Sequence, residues 1–197
     1  MKAILFASVA LLTLIFVGCS EIPQEDLNYK SEKSFIPINS GSQSVNSVET
    51  EFSASKDITG SCGGVIEIDE VIPGGPFGEI KVKAKMKVKA GTFPDNETIN
   101  FTLTVNTENT TVIVYPVRPD FTKPIQLSVE YKGLDLSGVN PEEVQFIFED
   151  GNGNYYQVEN DEVFVKISQG KLRVKNAKIT NEFVSSPMPY SRFGFIR

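Results

Sequence analysis

The sequence predicts an all-β protein, an antiparallel β-sandwich. Three observations predict it. Apolar and polar residues alternate with a period of two in segment after segment beyond Gly60, the pattern of half-buried strands. Asp150-Gly151-Asn152-Gly153 stands between two such segments, and Asp-Gly and Asn-Gly pairs between β runs are a strong hairpin signal. No long amphipathic helical pattern interrupts the series. Short strands at close spacing without helices indicate a sandwich or a barrel, and a sandwich is the expected form.

The clearest strand is Ile80–Lys89. Val82, Ala84, Met86 and Val88 alternate with Lys81, Lys83, Lys85, Lys87 and Lys89. Successive strand side chains point to opposite faces, so one face is apolar and the other is lysine. Before it, Ile66 and Ile68 share one face of Val65–Asp69, and Glu67 and Asp69 share the other. After it, Ile99, Phe101, Leu103 and Val105 alternate with Asn100, Thr102 and Thr104. Ile125, Leu127, Val129 and Tyr131 alternate with Gln126, Ser128 and Glu130. Val144, Phe146 and Phe148 lead into the Asp150–Gly153 turn, and Tyr155–Val158 returns. Val163–Ile167 and Leu172–Val174 predict a second hairpin, turned at Gln169-Gly170.

The N-terminus reads differently. Lys2 is followed by fifteen residues, Ala3–Val17, that are apolar except for Ser8 and Thr13. That is the layout of a secretory signal. It is short of the roughly 20 residues a spanning helix needs. The run closes on Phe16-Val17-Gly18-Cys19, which resembles the lipobox of bacterial lipoproteins, with Phe16 in place of the usual leucine. The resemblance implies that residues 1–18 are a lipoprotein signal peptide and that Cys19 becomes a lipidated N-terminus. Multiple acyl chains anchor stably where one binds only marginally. By resemblance to Gram-negative lipoproteins, Ser20 rather than Asp after the cysteine implies the outer membrane, on its periplasmic side or at the cell surface. Glu21, Glu25 and Asp26 resemble the acidic patch of some surface-export signals.

From Ser20 to about Lys56 the chain is polar and broken by stretches such as Asn39-Ser40-Gly41-Ser42-Gln43-Ser44. Such composition buries too little apolar area to offset chain entropy. Residues 19–59 are therefore expected to be a flexible tether and residues 60–197 the domain. The alternative is an ordered strand around Lys33–Ile38.

Composition narrows the chemistry. The formal charge of −6 argues against nucleic acid as a partner, which calls for a basic footprint. There is no histidine, so Ser-His-Asp catalysis and every His-bearing zinc site are excluded. There is no tryptophan either, so a flat indole platform for sugars is absent. The two cysteines are Cys19 and Cys62. With Cys19 lipidated, Cys62 is a lone thiol, expected to be a small buried hydrophobe beside Gly63 and Gly64; the alternative is a mixed disulfide or reactive thiol. No cofactor and no metal are expected.

Two stretches carry a family resemblance. Val88-Lys89-Ala90-Gly91-Thr92-Phe93-Pro94, followed by a strand from Ile99, resembles the turn "P-x-G-x-x-P" of the ZU5 domain, with Lys89 where the family has its first proline. Phe121–Tyr131 is similar to the signature "F-x-K-P-hydrophobic-x-L-x-hydrophobic-x-Y". Phe146–Gln157 resembles the aromatic hairpin of bacterial relatives. Tyr190–Phe195 resembles their ending, without its histidine. The resemblance covers roughly Gly63–Arg197. It implies a β-sandwich used as a structural or protein-interaction module, with no catalytic residues to carry over.

The candidate sites are few. The stripe Lys81, Lys83, Lys85, Lys87 and Lys89 places ammonium groups about 7 Å apart along one face, a spacing suited to a polyanion. Its structural reading is a solvated face neutralised by Glu67 and Asp69 on a neighbouring strand. Lys171, Arg173 and Lys175 repeat the pattern. Phe77 sits in Pro73-Gly74-Gly75-Pro76-Phe77-Gly78, a candidate binding tip, or a plain connection with the ring tucked in. Asp150, Asn152 and Asn154 match the first ligands of a calcium loop. Positions 6 and 12 are Tyr155 and Asp161, where an EF-hand needs Gly and Glu, so a turn is expected. Glu142/Glu143 and Asp161/Glu162 are carboxylate pairs without a mark of catalysis. The expected function is non-enzymatic: a membrane-anchored envelope protein with a structural or protein-binding role. The alternative is a glycan- or polyanion-binding module using Lys81–Lys89, and a carboxylate-based hydrolase is a third class.

Overall fold

The structure, a computed structural model, describes residues 33–38, 51–183 and 190–197. In chain order the strands are β1 (Glu51–Thr59), β2 (Gly64–Pro73), β3 (Glu79–Val88), β4 (Thr98–Asn106), β5 (Thr111–Tyr115) and β6 (Ile125–Lys132). They continue as β7 (Gln145–Glu149), β8 (Tyr155–Gln157), β9 (Glu162–Lys166), β10 (Lys171–Ile179) and β11 (Ser191–Ile196). No α-helix occurs among the described residues. One sheet has the order β1-β4-β5-β11-β7-β8 and the other β2-β3-β6-β10-β9. Every pairing is antiparallel, and neither sheet closes into a barrel. The protein is an all-β antiparallel sandwich.

The inner faces follow the predicted alternation. Ile80, Val82, Ala84, Met86 and Val88 of β3 are buried while the lysines between them are exposed. Ile125, Leu127, Val129 and Tyr131 of β6 are buried too. Across from them lie Phe101, Phe146, Phe193 and Phe195, all within the core. Phe146 and Phe195 meet edge to face at 5.1 Å, a geometry that adds about 0.5–1.5 kcal/mol beyond burial.

The stretch Glu51–Thr59, expected to be tether, belongs to the sandwich. Glu51–Thr59 is strand β1, paired with β4 from Glu51↔Asn106 to Thr59↔Thr98. Ser53 and Ser55 share hydrogen bonds with Thr104 and Thr102 at 2.5 and 2.7 Å. Asp57 accepts one from Asn100 at 2.6 Å. The polar residues that read as spacer thus form a cross-strand ladder. Lys56 interrupts the inward row, and its Nζ donates to the Val65 carbonyl at 3.4 Å. A charge at an inward position guards an edge strand against further pairing.

The alternative strand near Lys33–Ile38 is present as a short extended segment. Phe35 bridges to Ile196 and Pro37 to Asn109, and Ile36 is fully buried. The expectations for the signal peptide, for Cys19 and for the rest of the tether fall outside the described residues.

Strand connections define two ends of the sandwich. The β1–β2 turn, carrying Cys62, marks one end. Pro73 pairs with Glu79 at the other, and the β2–β3 loop with Phe77 projects there. Lys132, the β9–β10 turn and the Ile196 end of β11 share that second end. Lys33, the first residue of the described domain, lies there as well, because Ser34 accepts from the Arg197 amide at 3.3 Å.

Candidate functional site

The lysine stripe is real but largely neutralised. In the register, Lys85 stands opposite Glu67 and Lys83 opposite Asp69. The ion pairs close at 2.6 and 2.7 Å, and Lys81 pairs with Glu79 at 2.9 Å. The hydrogen bond and charge of Asp69 hold the Lys83 ammonium above its ordinary pKa. Lys87 and Lys89 have no ion-pair partner among the described residues.

The second basic run is paired too. Lys171 binds Glu130 at 2.9 Å. Arg173 and Lys175 both bind Glu162, at 2.9 and 3.1 Å. The hydrogen bond from Lys175, with Arg173 behind it, holds the Glu162 carboxyl below its usual range. Arg173 also lies over the Phe164 ring at 5.0 Å. Across the sheet the charges alternate in the row Asp69, Lys83, Glu130, Arg173. Opposite charges facing each other across strands stabilise by about 0.2–1 kcal/mol per pair and cancel at a distance. A shallow trough of about 340 Å³ runs over this row.

The next row toward the Phe77 end breaks that rule. Lys81 stands opposite Lys132. Lys132 lies one step beyond the Tyr131↔Leu172 pair, which places it level with Lys171. Lys171 stands opposite Lys166. Four lysines therefore line up across β3, β6, β10 and β9. Sequence inspection singled out Lys81 and Lys171 but missed Lys132 and Lys166. Each of these two closes a strand just before a turn, and nothing local marks them.

Phe77 is 56% exposed, so the ring is not tucked onto the sandwich. The loop is held from behind. A Cβ on Gly75, which has φ +77°, would come within 2.9 Å of the Gly133 carbonyl. Glycine is the residue that allows both the positive φ and the close approach. Phe77, Glu79, Lys81, Lys132, Gly133, Ser168 and Gln169 surround an open hollow of about 380 Å³.

The remaining candidates are structural. Asp150 accepts the amides of Asn152 and Asn154 at 2.9 and 2.8 Å, and also Asn154 Nδ2 at 2.9 Å. These bonds, the side chain of Asn154 first, depress its pKa and close the turn. No group of three metal-ligating side chains gathers among the described residues. Of the carboxylate pairs, Glu143 accepts from Asn140 at 2.8 Å and Asp161 from Asn176 at 2.6 Å. Glu162 is committed to Arg173 and Lys175.

Cys62 is a correction: it is exposed, not buried. Its amide and that of Gly63 both donate to the Thr59 carbonyl, at 3.1 and 2.9 Å. The neighbouring glycines serve the turn, and the turn aims the thiol outward.

The stretches Val88–Pro94 and Phe121–Tyr131 meet in space. Thr122 donates its amide to the Thr92 carbonyl at 2.8 Å and its hydroxyl to the Gly91 carbonyl at 2.7 Å. Lys123 Nζ donates to the Ala90 carbonyl at 2.6 Å. Phe93, Phe101 and Phe121 cluster beneath, with centroids about 6 Å apart.

The class these features define is an open antiparallel sandwich whose outer charges are mostly paired within one sheet. No family model matches the chain, and no curated protein and no solved structure matches it either.

Proposed function

We propose that this chain is a membrane-anchored envelope lipoprotein. Its β-sandwich, ZU5-like in the meeting of its two motif stretches, serves a non-catalytic structural or protein-interaction role at the outer membrane or cell surface. The observation that carries this reading is Phe16-Val17-Gly18-Cys19 at the close of a short apolar run. It is supported by a domain that completes its own core from Lys33 onward. The alternative, polyanion binding along Lys81–Lys89, is left with Lys87 and Lys89 as its unpaired lysines among the described residues.

Mass spectrometry of the N-terminal peptide from membrane-extracted protein tests the anchor. The expected N-terminus is a diacylglyceryl-bearing Cys19. A chain that begins elsewhere, or an unmodified Cys19, overturns it. Protease treatment of intact cells carrying a C-terminal epitope then separates surface from periplasm. Digestion without lysis means surface partners, and protection until lysis means periplasmic ones.

A further inference from the structure

Among the described residues, the row Lys81, Lys132, Lys171, Lys166 is the one place where like charges stand opposite one another on neighbouring strands. Such pairs are locally unfavourable. Breaks in such a local rule are expected at functional or strained sites. Glu79 answers Lys81 and Glu130 answers Lys171, each at 2.9 Å. Lys132 and Lys166 have no ion-pair partner among the described residues, so the row keeps an excess of positive charge.

Two apolar side chains project at the same rim. Phe77 is 56% exposed and Ile167, in the β9–β10 turn, is 39% exposed. Their loops are tied together through Gly133, whose amide donates to the Gln169 carbonyl at 3.2 Å and whose carbonyl backs Gly75. Cations beside projecting apolar side chains fit a surface that is anionic outside and apolar beneath. A soluble polyanion offers no use for Phe77 and Ile167.

We infer that this rim docks on an anionic phospholipid bilayer, with Phe77 and Ile167 entering the headgroup layer and Lys132 and Lys166 contacting lipid phosphates. The position of the chain's entry agrees. Lys33 lies at this end, fourteen residue steps from Cys19 with thirteen residues between them. Fully extended, that length reaches at most ~50 Å. This orientation rests on the lipid-anchor reading; the charge and apolar arguments do not.

Residues 20–197 omit the lipid-bearing cysteine and keep the compact unit Lys33–Arg197 with its whole core. Co-sedimentation of this chain with phosphatidylcholine vesicles, with and without phosphatidylglycerol, is the test. Binding is expected with phosphatidylglycerol and to weaken with added salt. Lys132→Glu and Lys166→Glu, each a change of two charge units, are each expected to lower it about 25-fold, about fivefold per unit charge near an anionic surface. Phe77→Ser is expected to lower it about tenfold. Lys89→Glu, at the opposite end, is expected to leave it unchanged. Absence of binding to phosphatidylglycerol vesicles, equal loss with Lys89→Glu, or retention by soluble acidic polysaccharide instead of vesicles overturns the proposal. The exposed positions of these variants spare the core, and a thermal unfolding curve for each confirms folding. A lipidated Cys19 with no vesicle binding removes the docking alone. Vesicle binding with an unmodified N-terminus supports the docking and removes the anchor.

Discussion

The ring of Phe35 lies directly against Gly194, so close that a Cβ at position 194 would fall 2.7 Å from it. Tyr155 meets the same ring edge-on at 5.8 Å, and the Arg192 guanidinium lies over it at 4.8 Å. The Phe35 ring is thus clamped on the outer face of the sheet, while Ile36 beside it enters the core.

Gly194→Ala is expected to push that ring off. The Thr110 carbonyl stands 2.8 Å from the same Cβ position, so the strand has no room to yield. Overpacking of this kind costs roughly 1–3 kcal/mol, readable as a lower midpoint in urea unfolding. An unchanged midpoint in Gly194→Ala means that Phe35 contributes nothing to the fold.

Tyr131 is fully buried and its hydroxyl has no hydrogen-bond partner among the described residues. Removing an unsatisfied buried hydroxyl is near neutral or stabilising, by up to about 1 kcal/mol. Tyr131→Phe is therefore expected to match or exceed the parent stability. Burial also raises the Tyr131 pKa, so the folded state keeps a proton that the unfolded state releases. Its stability is complete below the ordinary tyrosine value near 10 and declines as pH rises above it. Denaturation curves across that range are expected to show a shallower decline for Tyr131→Phe.

Glu162 behaves in the opposite sense. Lys175 and Arg173 lower its pKa from 4.5, so its contribution is present above that value and is lost as pH falls below it. Glu162→Gln is expected to remove part of the acid dependence of stability while leaving neutral-pH folding intact. Identical acid unfolding profiles for parent and variant contradict the pairing.

Replacing Lys81, Lys83 and Lys85 together with serine is expected to change retention on an acidic polysaccharide column very little. Their charges are already answered by Glu79, Asp69 and Glu67. A marked loss of salt-sensitive retention restores the polyanion reading of that face.

Cys62 is expected to react with a maleimide in the folded protein, because its turn exposes it. Modification that requires denaturant contradicts this placement.

The alternation in Ile80–Lys89, Ile99–Val105 and Ile125–Tyr131 determined the fold class by itself. Burial on one side of a pleated strand writes a period of two directly into the chain. The neutralising role of Glu67 and Asp69 was also legible, because their shared face and short distance from β3 imply a hairpin. Strand β1 was not, because Lys56 sits on its inward row and its Ser and Thr side chains are satisfied across the sheet. Exposure of Phe77 and Cys62 was not legible either, since backbone geometry in a turn aims a side chain whatever its apolarity. The lysine row required the register of four strands at once. Lys81, Lys132, Lys166 and Lys171 belong to separate alternations, and only sheet order brings their charges level. Local pattern set which face each residue takes; hydrogen-bonded pairing over long sequence distances decided which residues share a rim.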